Sequence, residues 1–318
     1  MTATRTEAAP ISDTSGSTAV SGGGAGSLFF LGSPGAWIMV SIFAVVDLIW
    51  SECIGVSIDG WGAAAGLIGL LLAVSAAYRR RSRGIAMMIE TGALWIAFTG
   101  SGCVLTYLAA TCAWPLQDTV LRGFDHGIGF DWLVWRNAVL ARPVLHLMLS
   151  VAYASLLPQM ALSALFFAAT DRAGRSTELL MLAALTLLPT VLISMFCPAL
   201  GPFGTYRGAD ATFLPDLLAL RGIRPWHFEL RALEGLIQMP SYHVVLAVLF
   251  TYAFRRTGPV GWGVAGLNAL MLPAIPPLGG HYFVDMIVGG AIAVLGILVW
   301  RWWHPGGRAT ADNTPERR

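Results

Sequence analysis

Eight long runs of apolar residues constrain this chain more than any other feature. They lie near 36–58, 60–78, 85–113, 144–170, 176–200, 240–254, 259–276 and 281–303. A run of about 20 apolar residues crosses the hydrocarbon core of a bilayer as a helix. In lipid a helix is favoured because it satisfies its own backbone polar groups. The expected fold is therefore all-α, a polytopic transmembrane helix bundle of about eight spans. The runs at 240–254 and 259–276 are short for a span. The pair Pro276-Pro277 should end the seventh, since proline lacks the amide donor and clashes with the preceding turn. Composition points the same way. Charged residues make up 12% of the chain, where a soluble domain carries ~25%.

Before the first run, residues 1–35 are rich in Ser, Gly, Ala and Thr, including Ser21-Gly22-Gly23-Gly24. Such a stretch buries too little apolar surface to fold. It reads as a disordered cytoplasmic tail and not as a signal peptide, because a long polar stretch precedes any apolar core. Residues 304–318 read as a second cytoplasmic tail. All 20 basic residues are arginine, so no mechanism that needs a lysine operates here. With eight helices, 13 of the 20 fall on one side, in the connections after runs two, four, six and eight and in the N-terminal tail. That side should be cytoplasmic, with both termini inside. The four cysteines, Cys53, Cys103, Cys112 and Cys197, have no metal or redox spacing. They read as small apolar residues within helices, with a disulfide between any two left open.

Acids within the runs are costly in a membrane and are functional candidates. Asp47 and Glu52 lie in the first run and Glu90 in the third. None has a basic partner at helical spacing. Asp47 reads as a packed, hydrogen-bonded or protonated structural residue, with proton coupling as the alternative. Asn268 reads as a polar link between helices. The outer loop at 114–143 holds Trp114, Trp132 and Trp135 beside Asp125, His126 and Asp131. It suggests an amphipathic interfacial helix, or a lid over a lipid headgroup. The outer loop at 201–239 carries Arg207, Arg221, Arg224 and Arg231. These could bind anionic headgroups or clamp a phosphoryl group.

Two short stretches carry chemistry. Pro240-Ser241-Tyr242-His243 opens the sixth run, and Gly280-His281-Tyr282-Phe283-Val284-Asp285 opens the eighth. On this topology both runs start at the same face, so His243 and His281 lie at similar depth. Asp285 is four residues beyond His281, one turn on if both are helical. Its carboxylate would then fix the imidazole tautomer and leave the other nitrogen as base or nucleophile. The second histidine would protonate a leaving oxygen. Ser241 and first-turn N–H groups would suit an anion. A His/His/Asp set also suits a metal, and a histidine at a helix mouth is often only an interface residue.

Those stretches resemble the signatures of the type 2 phosphatidic acid phosphatase superfamily, Pro-Ser-Gly-His and Ser-Arg-x5-His-x3-Asp. With Leu233-Glu234-Gly235-Leu236-Ile237 ahead of Pro240, they are similar to the bacterial branch that resembles inositol phosphorylceramide synthases. The resemblance implies a six-helix catalytic core at 84–303 with an extra N-terminal transmembrane hairpin at 36–83. It implies that His281 attacks phosphorus to form a phosphohistidine, that Asp285 supports it, and that His243 protonates the departing alkoxide. No cofactor and no metal is implied. Ser241, Tyr242, Arg207 and Arg224 are the substrate-binding candidates. Three departures stand out. Tyr242 replaces the signature glycine, Ala274-Ile275 replaces Ser-Arg, and the lysine of the first signature, Lys-x6-Arg-Pro, is absent.

The expected function is that of an integral membrane lipid phosphatase or phosphotransferase in a bacterial inner membrane, facing the periplasm or exterior. Its substrate would be a phospholipid or polyprenyl phosphate, with a head-group transferase as one form of the activity. Its partners would be that lipid phosphate and membrane lipids, and no nucleic acid. Two other classes remain. Asp47, Glu52 and the proline-interrupted runs (Pro158, Pro189) suit a proton-coupled transporter. The missing signature arginine suits a catalytically inactive, lipid-binding member.

Overall fold

The computed structural model describes residues 34–206, 211–222 and 225–304. The tails expected at 1–35 and 304–318 lie outside them except for Pro34, Gly35 and His304, as do Arg207 and Arg224. The chain passes through α1 (Pro34–Ile54), β1 (Val56–Asp59), α2 (Trp61–Tyr78), α3 (Arg83–Ala110), α4 (Asp118–Gly127) and α5 (Trp132–Leu140). It continues with α6 (Pro143–Ala154), α7 (Leu156–Ala169), α8 (Ala173–Phe196), α9 (Gly201–Thr205) and α10 (Leu214–Leu220). After β2 (Trp226–Glu229) and a short 3-10 turn come α11 (Tyr242–Ala253), α12 (Pro259–Gly279) and α13 (Phe283–Trp303). Each of the eight apolar runs forms helix over most of its length, the first ending in β1 and the fourth split as α6 and α7 end to end.

Among the described residues, five helical segments are long and apolar enough to cross a membrane: α1, α2, α3, α8 with α9, and α13. A sixth is reached if α5 and α6, bent by 108°, count as one. The outward faces are apolar. α2 buries only Ser75 along its whole length, and Leu70, Ile38 and Leu147 are exposed. A surface of this kind suits lipid rather than water. The chain is a multi-pass, all-α membrane protein.

The core sits where α8, α12 and α13 surround α11, with α3 packed on α8 beside them. Val245, Leu249 and Phe250 of α11 are fully buried, and the Phe250 ring stacks on Trp95 of α3 at 6.2 Å. Gly289 sets the closest approach of α13 to α11, because a Cβ there would collide with the Ser241 carbonyl. The far end of α11 is tied down by Arg175, which donates to the Ala253 carbonyl at 3.0 Å. A cation there complements the negative end of the helix. α7 and α12 are joined by Gln159 and Asn268, whose amides exchange hydrogen bonds of 3.1 and 3.0 Å. Asn268 thus makes the interhelical link its position suggested.

Three expectations are corrected. First, α12 does not stop at Pro276-Pro277 but runs to Gly279, where Gly280 in the left-handed region (φ 67°) ends it. Pro277 has no N–H for the Pro273 carbonyl four residues back. The Trp135 indole of α5 donates to that carbonyl instead, at 3.0 Å. Trp132 donates likewise to the Pro276 carbonyl at 2.7 Å. The proline-rich turn is therefore stabilised from a neighbouring element. Second, Glu90 has a basic partner, Arg79, at 3.5 Å. It comes from the turn after α2, a position helical spacing does not reach. Third, of the cysteines only Cys53 and Cys103 lie within helices, while Cys112 follows α3 and Cys197 caps α8; all four are free thiols. Asp47 is fully buried and accepts a hydrogen bond from the Ser101 hydroxyl of α3.

The connections at the α11 and α13 entrances form a cap over that end of the bundle. Within it β1 pairs in parallel with β2, Val56 opposite Trp226 and Asp59 opposite Glu229. This small ladder ties the connection between α1 and α2 to the loop that leads into α11.

Candidate active site

His281 sits in the three-residue connection between α12 and α13 and is 3% exposed. The expected arrangement, with His281 and Asp285 one turn apart on a helix, is not what brings them together. α13 begins at Phe283, with Tyr282 as its N-cap. Asp285, at the third helical position, turns back so that its Oδ2 accepts the Tyr282 N–H at 2.8 Å. The same oxygen stands 3.4 Å from His281 Nδ1. A capping turn, not a helical face, makes the pair.

Nδ1 has a closer partner that the sequence did not reveal. It is 2.7 Å from the Gln238 carbonyl. A carbonyl only accepts, so Nδ1 carries the proton in the neutral ring and Nε2 keeps its lone pair. Nε2 faces the Ser241 hydroxyl at 3.4 Å. Burial pushes the His281 imidazole down to about 4, so the ring is neutral at ordinary pH. The result is a tautomer fixed by backbone, with an unprotonated Nε2 suited to nucleophilic attack.

His243 lies in the first turn of α11. Its ring stacks flat on Tyr153 of α6, with centroids 4.8 Å apart and planes 9° from parallel. His243 and His281 line the same cavity, of about 670 Å³. Thus the two helix mouths do open on one space. The cavity wall is largely apolar, with Leu157 and Met160 of α7 and Phe98 of α3 on one side. Its polar lining includes Gln238, Thr212 and Glu234, and Thr212 donates to the Glu234 carboxylate at 2.6 Å. A cavity of this size and character suits an organic ligand with a polar end.

The remaining predicted site residues are placed as follows. Ser241 is fully buried beside His281. The Tyr242 ring lines the cavity, but its hydroxyl donates to the Ala183 carbonyl of α8 at 2.6 Å. That bond seats α11 on α8. Arg207 and Arg224 lie outside the described residues. Of the other loop arginines, Arg231 pairs with Glu229 at 2.6 Å and Arg221 donates to the Trp114 carbonyl at 2.8 Å. Among the described residues no arginine lines the cavity. The first-turn N–H groups of α11, at Tyr242, His243 and Val244, have no hydrogen-bond partner among the described residues. They are the site's available anion donors.

Two acids of α4 were missed as site residues. Asp125 accepts from the Phe283 N–H at 2.8 Å and the Val284 N–H at 3.1 Å. Asp118 accepts from the Gly201 and Leu200 N–H groups, at 2.9 and 3.0 Å, and from the Tyr282 hydroxyl at 3.2 Å. Their spacing of seven, two helical turns, was the available sequence signal. Of the loop's tryptophans, Trp132 and Trp135 anchor α5 to α12, Trp132 stacks on Tyr206 at 5.3 Å, and Trp114 packs edge-on against Phe196. Among the described residues no group of three or more His, Cys, Asp or Glu side chains could hold a metal ion.

Fold and site together define an integral-membrane helical bundle with two histidines and a carboxylate gathered at one end. The family model described as the PAP2 superfamily matches residues 119–299. The chain belongs to that superfamily, whose chemistry is the hydrolysis of phosphoric esters. No curated protein and no solved structure matches the chain.

Proposed function

We propose that this protein transfers the phosphoryl group of a membrane lipid through a phosphohistidine on His281. The observation that carries the reading is the fixed tautomer of His281. Its Nδ1 is held by the Gln238 carbonyl at 2.7 Å, Nε2 keeps its lone pair beside the Ser241 hydroxyl, and the residue lines a cavity shared with His243.

In the first step Nε2 attacks phosphorus, the bond to the leaving oxygen breaks, and His243, which enters the step as the imidazolium, gives that oxygen its proton and becomes the neutral ring. Asp285, 3.4 Å from Nδ1, stabilises the positive charge that develops on the ring. In the second step an acceptor hydroxyl attacks phosphorus and gives its proton to His243, and the P–N bond breaks. Water as acceptor gives a phosphatase. An alcohol gives a head-group transferase, the reading favoured by the likeness of residues 233–237 and 280–285 to the synthase-like branch. The N–H groups at the start of α11 would hold the phosphate oxygens, with Arg207 and Arg224 as the candidate cations. The apolar wall of the cavity suits the chains of a phospholipid or polyprenyl phosphate. The arginine distribution along the chain supports cytoplasmic termini and a site facing the periplasm or exterior of a bacterial inner membrane.

The test is turnover by the purified protein on a mixed panel of lipid phosphates, with and without an added alcohol. Products should form with wild type and not with His281→Ala or His243→Ala, although both variants insert. Vanadate should inhibit, and chelators should not. Retained turnover in His281→Ala overturns the reading.

A further inference from the structure

α4 lies beside the site without lining the cavity, yet both its acids are spent on the site's backbone. Asp118 and Asp125 are two turns apart and share one face of the helix. Both are buried, while Val120 and Phe124 are 53% and 60% exposed on the other side. The acidic face therefore looks into the protein and the apolar face looks out.

Each acid holds a different flank of His281. Asp125 takes the N–H groups of Phe283 and Val284, the first two helical residues of α13. Asp285 takes the N–H of Tyr282. Three successive amides after His281 are thus bonded to carboxylates, and none is left for a phosphate. Asp118 reaches the Tyr282 hydroxyl and, with the same carboxylate, the N–H groups of Leu200 and Gly201. Gly201 in turn lies against the Gly280 carbonyl, so close that a Cβ there would collide with it. Residues 280, 282, 283 and 284 are all fixed from outside their own helix, and His281 is the residue between them.

This arrangement is electrostatically costly. Burial raises the Asp125 carboxyl, and only the two N–H bonds and nearby His126 oppose that rise. Asp118, Asp125 and Asp285 crowd three carboxylates around one connection, where like charges disfavour one another. A single acid would suffice to cap a helix. We infer that Asp118 and Asp125 are positioning residues. Through the backbone at 200–201 and 282–284 they hold His281 Nε2 and the Asp285 carboxylate in the geometry that phosphoryl transfer needs.

The inference rests on the phosphoryl-transfer reading, and its test separates the two. Full-length protein would be assayed with the lipid phosphate that wild type turns over. A misplacement of about 1 Å costs roughly 10²-fold in rate, so Asp125→Ala should lower kcat by about that factor. KM should stay within about twofold, because no substrate contact is lost. Asp125→Asn keeps one acceptor oxygen and should recover at least about tenfold of the loss. Phe124→Ala, on the exposed face, should match wild type. A second readout needs no turnover. The Nδ1–H signal of ¹⁵N-labelled His281, sharp in wild type through its bond to Gln238, should broaden or shift in Asp125→Ala and in Asp118→Asn. Unchanged kinetics and an unchanged Nδ1 signal in both variants overturn the inference. So does a rise in KM with kcat intact, which would make Asp125 a substrate ligand. Wild type without any phosphoryl transfer, but with the histidine signal perturbed as expected, would refute the proposed function and leave the positioning supported.

Discussion

The carboxylate of Asp285 does two separable things, and Asp285→Asn divides them. One is structural, since its Oδ2 accepts the Tyr282 N–H at 2.8 Å and closes the start of α13. An asparagine oxygen of the same size keeps that bond. The other is electrostatic. Oδ2 lies 3.4 Å from His281 Nδ1, and the ring becomes cationic as Nε2 bonds to phosphorus. An ionised carboxylate and a cationic ring at that distance attract by at most about 5 kcal/mol at an effective dielectric constant of ~20. The neutral ground-state ring feels little of this, so the loss falls on the transition state and the intermediate. At 1.36 kcal/mol per factor of ten, the full term is worth about 10³-fold or somewhat more. The assay is release of phosphate or transfer product from a labelled lipid phosphate, with kcat and KM measured separately. Asp285→Asn should lose about 10³-fold in kcat at nearly constant KM, with a melting temperature close to wild type. A loss of less than about tenfold in a folded variant would refute the charge argument.

Two further outcomes follow from the geometry. Gly289→Ala places a Cβ against the Ser241 carbonyl and 3.4 Å from Val244 Cβ, so it should cost about 1–3 kcal/mol of stability through overpacking. Gly290→Ala meets its nearest atom only at 3.9 Å and should melt like wild type, a comparison made by thermal unfolding in detergent. The pH profile gives the other test. His281 attacks as the neutral ring, and burial holds its pKa down to about 4 rather than 6.5. Protonation removes the lone pair, so kcat/KM should show no loss from this group as pH falls through 6.5 and should drop only as pH passes about 4. An acid limb centred on 6.5 that disappears with His281 would contradict the buried, neutral histidine.

Much of this was legible in the sequence, because a lipid surround imposes a simple rule. Apolar runs with few charges had to become helices, and each of them did. The polar-to-apolar switches at Ser241 and His281 placed both histidines at helix mouths. What was not legible is what depends on a distant partner. Pro276-Pro277 reads as a helix stop, yet α12 continues, with Trp135 supplying a donor to the freed Pro273 carbonyl and Trp132 a second donor to the Pro276 carbonyl. The His281–Asp285 pair was expected from helical spacing and arises from a capping turn. The closest partner of His281 is a backbone carbonyl, that of Gln238, and side-chain patterns carry no trace of it. Asp125 stood in a loop read as an interfacial helix and Asp118 drew no reading, since nothing local shows that the face they share turns inward.

The central claim is a covalent phosphohistidine at His281 Nε2, and trapping it is the most direct measurement. Wild-type protein in detergent would be quenched during turnover of a ³²P-labelled lipid phosphate, digested and mapped by mass spectrometry. The account predicts an acid-labile phosphate on the peptide containing His281, absent from His281→Ala and accumulating when the acceptor is withheld. Label on His243 instead, or steady turnover with no labelled histidine under any quench, would contradict it.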